Sequence, residues 1–244
     1  MLELDGRVAV VTGATRGIGK AIAEAIVDAG GRVVVAARNA EDVLRVAADL
    51  NRRAGATPER PSAAGRACDV RRPRDCRDLI AGSVSEFGRL DLLVNNAGIG
   101  LFAPVETLDP GSWDDVIGTN LSGAFYCAHE AIPHLRRTGA GWIINIGSLA
   151  GRNAFPDGAA YNASKFGLIG FSEALMQEVR HDGIRVSCIM PGSVETGFAG
   201  HESGGGSWRI APEDVARVVL DLLAFPARSL PSRIELRPSR PPRK

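Results

Sequence analysis

The sequence predicts an α/β fold in which a doubly wound parallel sheet carries helices on both faces. Two observations predict it: short β-branched runs alternate with long amphipathic segments, and the helical segments begin or end at glycine, proline or a capping residue. Strands that alternate with helices of this length form βαβ units, which build a parallel sheet. A single α/β domain can reach 244 residues, so we expect one domain over residues 1–244.

The elements follow in order along the chain. Buried strands are predicted where short runs are apolar and rich in β-branched residues: residues 7–12, 32–37, 90–95, 141–146 and 184–189. Helices are predicted where apolar residues recur at helical spacing: residues 17–31, 73–88 and 159–180. Two regions break the alternation. Residues 192–211, which contain HESGGGSW, are predicted to form a substrate flap, and the basic, proline-rich residues 237–244 a solvated tail.

Composition gives no support to several classes of partner. Lys and Arg total 29 against 28 for Asp and Glu, and this net charge of +1 favours neither nucleic acid nor a membrane surface. The first apolar run, residues 8–11, is too short for a signal peptide or a membrane span. The four cysteines are scattered without a C-x-x-C pair, which suggests neither a disulfide framework nor a zinc site. We therefore expect a cytoplasmic protein.

A metal site is not expected either. The segment HEAIPH at residues 129–134 resembles the zinc motif H-E-x-x-H. Its histidines are five residues apart, however, which places them on different faces of a helix, and Pro133 interrupts the segment.

A glycine-rich turn follows the first predicted strand. In TGATRGIG, Gly13, Gly17 and Gly19 lie between that strand and the first helix. Glycine allows close approach of the backbone to a pyrophosphate, and a helix N-terminus offers it unpaired N–H groups. The spacing G-x-x-x-G-x-G differs from the commoner G-x-G-x-x-G. Its position after a strand nevertheless favours a dinucleotide site over a plain turn.

The end of the second predicted strand bears on the choice of dinucleotide. An acid there binds the ribose 2′-hydroxyl of NAD, whereas an arginine suits the 2′-phosphate of NADP. Here the strand ends with Ala37 and Arg38, and Arg16 of the glycine turn could supply a second cation. We therefore predict NADP(H) in preference to NAD(H). The alternative is that both arginines are ordinary surface residues.

The segment YNASK places Tyr161 and Lys165 four residues apart. On a helix this spacing puts both side chains on one face. A nearby positive charge favours a phenolate and lowers the tyrosine pKa towards neutrality. Tyr161 could then exchange protons near pH 7, although a buried tyrosine beside a solvated lysine is the simpler interpretation of the pair alone.

Taken together, TGATRGIG, NNAG at residues 95–98, Ser148, YNASK and PGSVET at residues 191–196 resemble the short-chain dehydrogenase/reductase family. The resemblance spans about residues 5 to 197, with the motifs in the family's order and spacing. It implies a single-domain Rossmann fold of about seven strands. It also implies an enzyme that acts on the CH–OH group of donors with NAD(P) as acceptor.

The resemblance carries the family's functional residues over to this chain. The catalytic positions fall on Asn120, Ser148, Tyr161 and Lys165. The cofactor positions fall on Gly13, Thr15, Arg16, Gly17, Ile18, Gly19, Arg38, Asp69, Val70, Asn96, Ala97, Gly98, Tyr161, Lys165, Pro191, Gly192, Val194 and Thr196. Among these, Asp69 matches the position that contacts adenine.

The same resemblance implies a role for each catalytic residue. Tyr161 would protonate the oxygen that forms when a ketone accepts a hydride. Lys165 would lower the tyrosine pKa and bind the nicotinamide ribose. Ser148 would donate a hydrogen bond to the carbonyl, and Asn120 would hold a water that passes protons to Lys165. Singly, the serine could instead be a helix cap and the asparagine a turn residue.

The substrate stays open at this level. Similarity is greatest to β-ketoacyl-(acyl-carrier-protein) reductases, but those proteins finish with a strand and a Gly-Gly pair, whereas this chain finishes SRIELRPSRPPRK. Its terminal arginines are either a basic entrance for an acyl carrier or part of a solvated tail. Other small carbonyl compounds or hydroxy acids are alternatives, and residues Phe198, His201 and Trp208 of the flap would decide.

Two further alternatives concern assembly and class. The helix around Tyr161 is apolar on more than one face, and the family resemblance implies that a second subunit covers one of them, in a homodimer or homotetramer. A catalytically idle module that senses the NADP redox state is the rival from a different class. Such modules usually lose the tyrosine or the lysine, and this chain has both.

Overall fold

A computed structural model describes residues 4–196, 198 and 208–242. Seven parallel strands form one sheet: β1 Val8–Thr12, β2 Arg32–Ala37, β3 Ala63–Ala67, β4 Leu92–Asn95, β5 Trp142–Ile146, β6 Arg185–Pro191 and β7 Arg233–Leu236. Their order is β3-β2-β1-β4-β5-β6-β7, which reverses direction at β1. The predicted doubly wound Rossmann fold is confirmed, and the predicted strands agree with it to within two residues at each end.

The helices are α1 Gly17–Asp28, α2 Ala40–Ala54, α3 Pro73–Phe87, α4 Pro110–Ile117, α5 Gly123–Thr138, α6 Ala159–Val179 and α7 Pro212–Ala224. A π-helical turn, Gly118–Ser122, joins α4 to α5. No helix in the described part of the chain is both long and apolar enough to cross a membrane.

Side chains of the central strands alternate between two cores. On β1, Ala9 and Val11 face a core that includes residues of α1, α2 and α7. Val8 and Val10 face the opposite core, formed with residues of α3, α5 and α6. A strand buried on both faces must be apolar throughout, which is why β1 appears in the sequence as a continuous apolar run.

Three regions differ from the simplest sequence interpretation. The helix predicted over residues 17–31 ends at Asp28, because Gly30 adopts a positive φ of 83°. Half of the predicted flap, residue 197 and residues 199–207 with His201, lies outside the described residues. The described part of the basic tail, residues 237–242, is exposed except for the partly buried Pro238, and four of its residues also border the main cleft: Arg237, Pro238, Pro241 and Pro242.

Candidate active site

A cleft of about 1470 Å³ lies at the carboxyl ends of the strands. This is the place where open α/β sheets bind ligands. Every residue that the sequence predicted for the site lines this cleft except Gly19 and Asn120. Residues far apart in the chain are therefore assembled as the motifs predicted.

The glycine turn fits a phosphate group. Gly13 has a φ of 63°, and a Cβ there would lie 2.9 Å from the Cα of Ala97. Arg16 is the N-cap of α1, and its side chain makes no capping hydrogen bond, so no side chain closes the helix N-terminus. A Cβ at Gly19 would lie 2.4 Å from the carbonyl oxygen of Gly13. Gly19 thus permits close packing beneath the turn instead of lining the cleft.

Two cations border the adenosine end predicted for this cleft. Arg16 and Arg38 are both exposed and line the cleft. Neither lies within 4.0 Å of a carboxylate of the described residues. Unpaired guanidinium groups suit a doubly charged phosphate.

Asp69 lines the cleft, but its carboxylate is already engaged. Nη2 of Arg71 lies 2.6 Å from Oδ2 of Asp69, and Arg71 also pairs with Asp115. The hydrogen bonds from Arg71 lower the pKa of Asp69. If Asp69 contacts the adenine of a cofactor, it does so while its carboxylate stays paired with Arg71.

The loop after β4 is tied to the glycine turn. Nδ2 of Asn96 donates to the carbonyl oxygens of Thr12, at 2.9 Å, and Gly13, at 3.1 Å. At Gly98, a Cβ would lie 3.8 Å from Nζ of Lys165. The absence of a side chain at Gly98 therefore keeps the space in front of the lysine open.

Ser148 follows β5 and lies next to Tyr161. Its Oγ accepts a hydrogen bond from the backbone N–H of Ala150 at 3.1 Å. Ser148 therefore does cap the short helical turn that follows it, as the alternative interpretation predicted. Its hydroxyl proton is still available to another acceptor. Burial raises the pKa of Tyr161, and a hydrogen bond with Ser148 lowers it in part.

Lys165 is almost completely buried, with 5% of its surface exposed. Its Nζ donates to the carbonyl oxygen of Ile146 at 2.9 Å and lies 5.8 Å from the centroid of the Tyr161 ring. Burial lowers the pKa of Lys165 to about 8. The sequence predicted that this lysine, helped by the nicotinamide, would depress the tyrosine pKa, and for the cofactor-bound protein this stays a prediction. In the protein itself, burial of the Tyr161 phenol is the largest effect and raises its pKa.

Asn120 lies in the π-helical turn between α4 and α5, behind the cleft. Its Oδ1 accepts from the N–H of Ile99 at 2.8 Å, and its Nδ2 donates to the carbonyl oxygen of Ile99 and to Oγ of Ser164. The side-chain amide is thus committed to protein partners. A water held at this position would have to use the backbone of the turn.

The strand end after β6 closes the cleft on the opposite side. Pro191, Gly192, Val194 and Thr196 all line it. The N–H of Gly192 donates to the carbonyl oxygen of Leu236 at 2.8 Å. This bond joins the predicted nicotinamide segment to β7 and explains why the tail beyond β7 borders the cleft.

Sequence reasoning missed several lining residues. Phe102, in the loop after β4, and Phe155, in the loop before α6, both line the cleft. Phe102 follows the NNAG motif closely and Phe155 precedes YNASK. Proximity to these motifs was the only signal, because loop residues carry no periodicity.

Fold and cleft together define an oxidoreductase of the dinucleotide-binding α/β class. The family described as short chain dehydrogenase matches residues 7–204, and the chain belongs to this family. Its members use nicotinamide cofactors and act on CH–OH donors.

Three similar proteins illustrate the relationship. The D-threitol dehydrogenase of Mycolicibacterium smegmatis is 39% identical over 84% of this chain and 76% of its own length. A Streptomyces coelicolor protein called "Putative ketoacyl reductase" is 38% identical over 88% of this chain and 81% of its own. The crystal structure of a metagenomic short-chain oxidoreductase in complex with NADP is 38% identical, with a TM-score of 0.84, and the match covers 98% of this chain and 99% of that one.

Proposed function

We propose that the protein is an NADP(H)-dependent oxidoreductase that interconverts a ketone and a secondary alcohol, with Tyr161 as general acid and base. One observation carries this proposal: Ser148, Tyr161 and Lys165 lie in the same cleft as the glycine turn. A proton donor and a dinucleotide cradle in one cleft are what carbonyl reduction requires.

The nicotinamide supplies the hydride for the carbonyl carbon when it is bound. Tyr161 then gives its proton to the carbonyl oxygen, and its raised pKa keeps that proton in place at neutral pH. Ser148 donates a hydrogen bond to the same oxygen as negative charge develops there. The buried Lys165 ammonium stabilises the phenolate that Tyr161 leaves behind. Asn120 is a positioning residue that fixes the loop after β4 against α6.

The preference for NADP(H) rests on Arg16 and Arg38. Both line the cleft without a carboxylate partner among the described residues, and the end of β2 is followed directly by Arg38 and Asn39 instead of an acid. The NADP-bound metagenomic neighbour supports the same choice.

Within this function, a 3-oxoacyl thioester is one candidate substrate. The S. coelicolor relative favours it, and Arg209 lines the cleft with a positive charge that suits an acidic carrier. The M. smegmatis relative is named for a polyol instead. The two relatives are named for different substrates, although both names describe carbonyl or alcohol chemistry. The residues that line the pocket must therefore determine which class of substrate this protein binds.

We also propose a homodimer or homotetramer in a reducing cytoplasm. Phe125 on α5 and Phe166 on α6 are 48% and 47% exposed, and Phe125 contacts Phe171. Such exposed aromatic residues on neighbouring helices mark a protein interface. All four cysteines are free and buried, as in proteins of a reducing compartment.

The test is NADPH oxidation with a panel of ketones, for the wild type and Tyr161→Phe. We expect turnover of at least one ketone and its loss by about 100-fold or more in the variant, because general acid catalysis contributes on that order. Tight NADPH binding without turnover of any ketone would instead support the redox sensor. NADPH affinity that is unchanged in Tyr161→Phe shows that the variant is folded.

A further inference from the structure

Four aromatic rings form a connected set at one end of the cleft. The ring centroids of Phe102 and Tyr161 are 5.6 Å apart, at an interplanar angle of 81°. Phe198 lies 5.7 Å from Tyr161, and Phe155 lies 5.7 Å from Phe102. All four residues line the cleft. The tyrosine proposed to protonate the substrate therefore belongs to an aromatic wall.

The outer part of this wall is open. Phe102 is 41% exposed and Phe155 is 42% exposed, although large apolar side chains are normally buried. Exposed apolar surface inside a concave cleft marks a ligand-binding site more often than a solvated surface. The substrate that reaches Tyr161 thus passes along phenylalanine rings.

Two glycines hold the rings in place. A Cβ at Gly100 would lie 2.9 Å from Cζ of Phe102 and 2.8 Å from Cε1 of Phe198. A Cβ at Gly158 would lie 2.5 Å from Cε2 of Phe155. These rings therefore pack directly against the backbone of Gly100 or Gly158, and a side chain at either glycine would displace them.

The loops that carry the rings are also joined to each other. The N–H of Ala103 donates to the carbonyl oxygen of Asp157 at 2.9 Å. Asp157 has a φ of 64°, a conformation that non-glycine residues adopt rarely. The two loops that carry Phe102 and Phe155 are therefore joined through the backbone, beside Tyr161 on α6.

We infer that the substrate carries an aromatic ring on the carbonyl carbon, so that the enzyme reduces an aryl ketone or oxidises the matching aryl alcohol. Aromatic rings attract one another in edge-to-face geometry beyond the effect of buried area, which an aliphatic group of equal size does not match. The ring would lie against Phe102 and Phe155 while the carbonyl oxygen meets Tyr161 and Ser148. A carrier thioester on the other substituent is compatible with this arrangement. The inference rests on the proposed function.

Equilibrium binding to the NADPH-loaded enzyme tests it without catalysis. Benzamide, cyclohexanecarboxamide and acetamide present a carbonyl that does not accept hydride, with an aromatic ring, a saturated ring of similar size and no ring. By calorimetry we expect benzamide to bind about threefold or more tighter than cyclohexanecarboxamide, and tighter still than acetamide. Equal affinity for the two ring compounds, or weaker binding of benzamide, would overturn the inference.

Phe102→Leu and Phe155→Leu remove one ring each and keep an apolar side chain. Each is expected to weaken benzamide binding about threefold to tenfold and to change cyclohexanecarboxamide binding less than about twofold. Phe225→Leu is the matched control, because Phe225 is 43% exposed and lies outside the cleft. NADPH affinity reports whether each variant is folded. Loss of affinity for both ring compounds alike would show a general apolar pocket and refute the aromatic preference.

A ketone panel separates this inference from the proposed function. Acetophenone, cyclohexyl methyl ketone and dihydroxyacetone are compared in NADPH oxidation. If no ketone is reduced although benzamide binds selectively, the proposed function fails and the aromatic site stands. If ketones are reduced but removal of either ring leaves the kcat/KM for acetophenone unchanged, the function stands and the inference fails.

Discussion

Nζ of Lys165 donates a hydrogen bond to the carbonyl oxygen of Ile146, the last residue of β5, across 2.9 Å. The bond joins α6 to the end of the strand that precedes Ser148. It fixes an ammonium group in a position that is 5% exposed. Burial of this charge lowers the pKa of Lys165 from 10.5 to about 8. The arrangement therefore favours catalysis at the expense of stability.

Lys165→Met is expected to stabilise the fold while removing activity. A pKa that falls from 10.5 to about 8 corresponds to about 3 kcal/mol of destabilisation while the lysine is charged. The unfolded chain binds the proton more tightly, so this penalty is complete below pH 8 and shrinks as the pH rises from 8 to 10.5. Urea unfolding of both proteins across this range should show that the variant's stability relative to the wild type falls by about 3 kcal/mol as the pH rises, to a pH-independent remainder that includes the lost hydrogen bond to Ile146.

Lys20→Met is the matched control for this experiment. Lys20 forms a surface ion pair with Glu24, and its side chain is 39% exposed. Its replacement is expected to change stability by less than about 1 kcal/mol at every pH. A Lys165→Met variant whose stability relative to the wild type is the same at pH 8 and at pH 10.5 would contradict the conclusion that burial of the Lys165 charge destabilises the fold.

Parts of the fold could be predicted from the sequence because burial on both faces of a strand requires a continuous apolar run, as in residues 8–11 of β1, VAVV. Strand β3, with the sequence AAGRA, has no such run, and its pairing with β2 defines it. Gly65 in this strand lies against α2, where a Cβ would be 2.5 Å from the carbonyl oxygen of Val43. Close packing, not hydrophobic periodicity, selects that residue.

Some features of the site could likewise be predicted from the sequence, and others could not. The glycine turn and YNASK were recognisable because their chemistry requires particular residues at fixed spacing. The positions of Phe102 and Phe155 depend on how two loops meet, and only the three-dimensional structure supplies that. The degree of burial of Tyr161, which raises its pKa, likewise depends on the three-dimensional structure and cannot be predicted from the sequence.

Arg38→Ala tests the cofactor preference. Loss of the guanidinium that we propose pairs with the 2′-phosphate is expected to weaken NADPH binding about tenfold or more, since hydrogen bonds to charged groups contribute roughly 1.5–3 kcal/mol. NADH binding is expected to change less than about threefold, because NADH has no 2′-phosphate. Fluorescence titration with both cofactors measures the change.

Arg53→Ala is the control for net charge. Arg53 lies on α2, as part of a surface pair with Asp28, and does not line the cleft. It should leave the ratio of the two affinities unchanged. If Arg38→Ala also leaves that ratio unchanged, Arg38 does not select the cofactor.

Asn120 and Ser164 are expected to act together on the loop after β4. Asn120→Ala leaves the N–H and carbonyl groups of Ile99 without their side-chain partner, which costs about 1–3 kcal/mol in stability. Ser164→Ala removes the hydroxyl that accepts from Asn120 at 3.0 Å. A double-mutant cycle in urea unfolding should give a coupling energy of at least about 0.5 kcal/mol. Additive effects would show that the two side chains do not act as one unit.

The exposed aromatic surface of α5 and α6 leads to a prediction about assembly. Phe166→Asp places a charge in the middle of the proposed interface, where it cannot be solvated in an oligomer. We expect the variant to sediment as a smaller species than the wild type at the same concentration. Phe225→Asp, on a surface away from α5 and α6, should sediment like the wild type, because Phe225 directly follows α7. If the wild type is itself a monomer, or if Phe166→Asp keeps its oligomeric state, then α5 and α6 do not form the subunit interface.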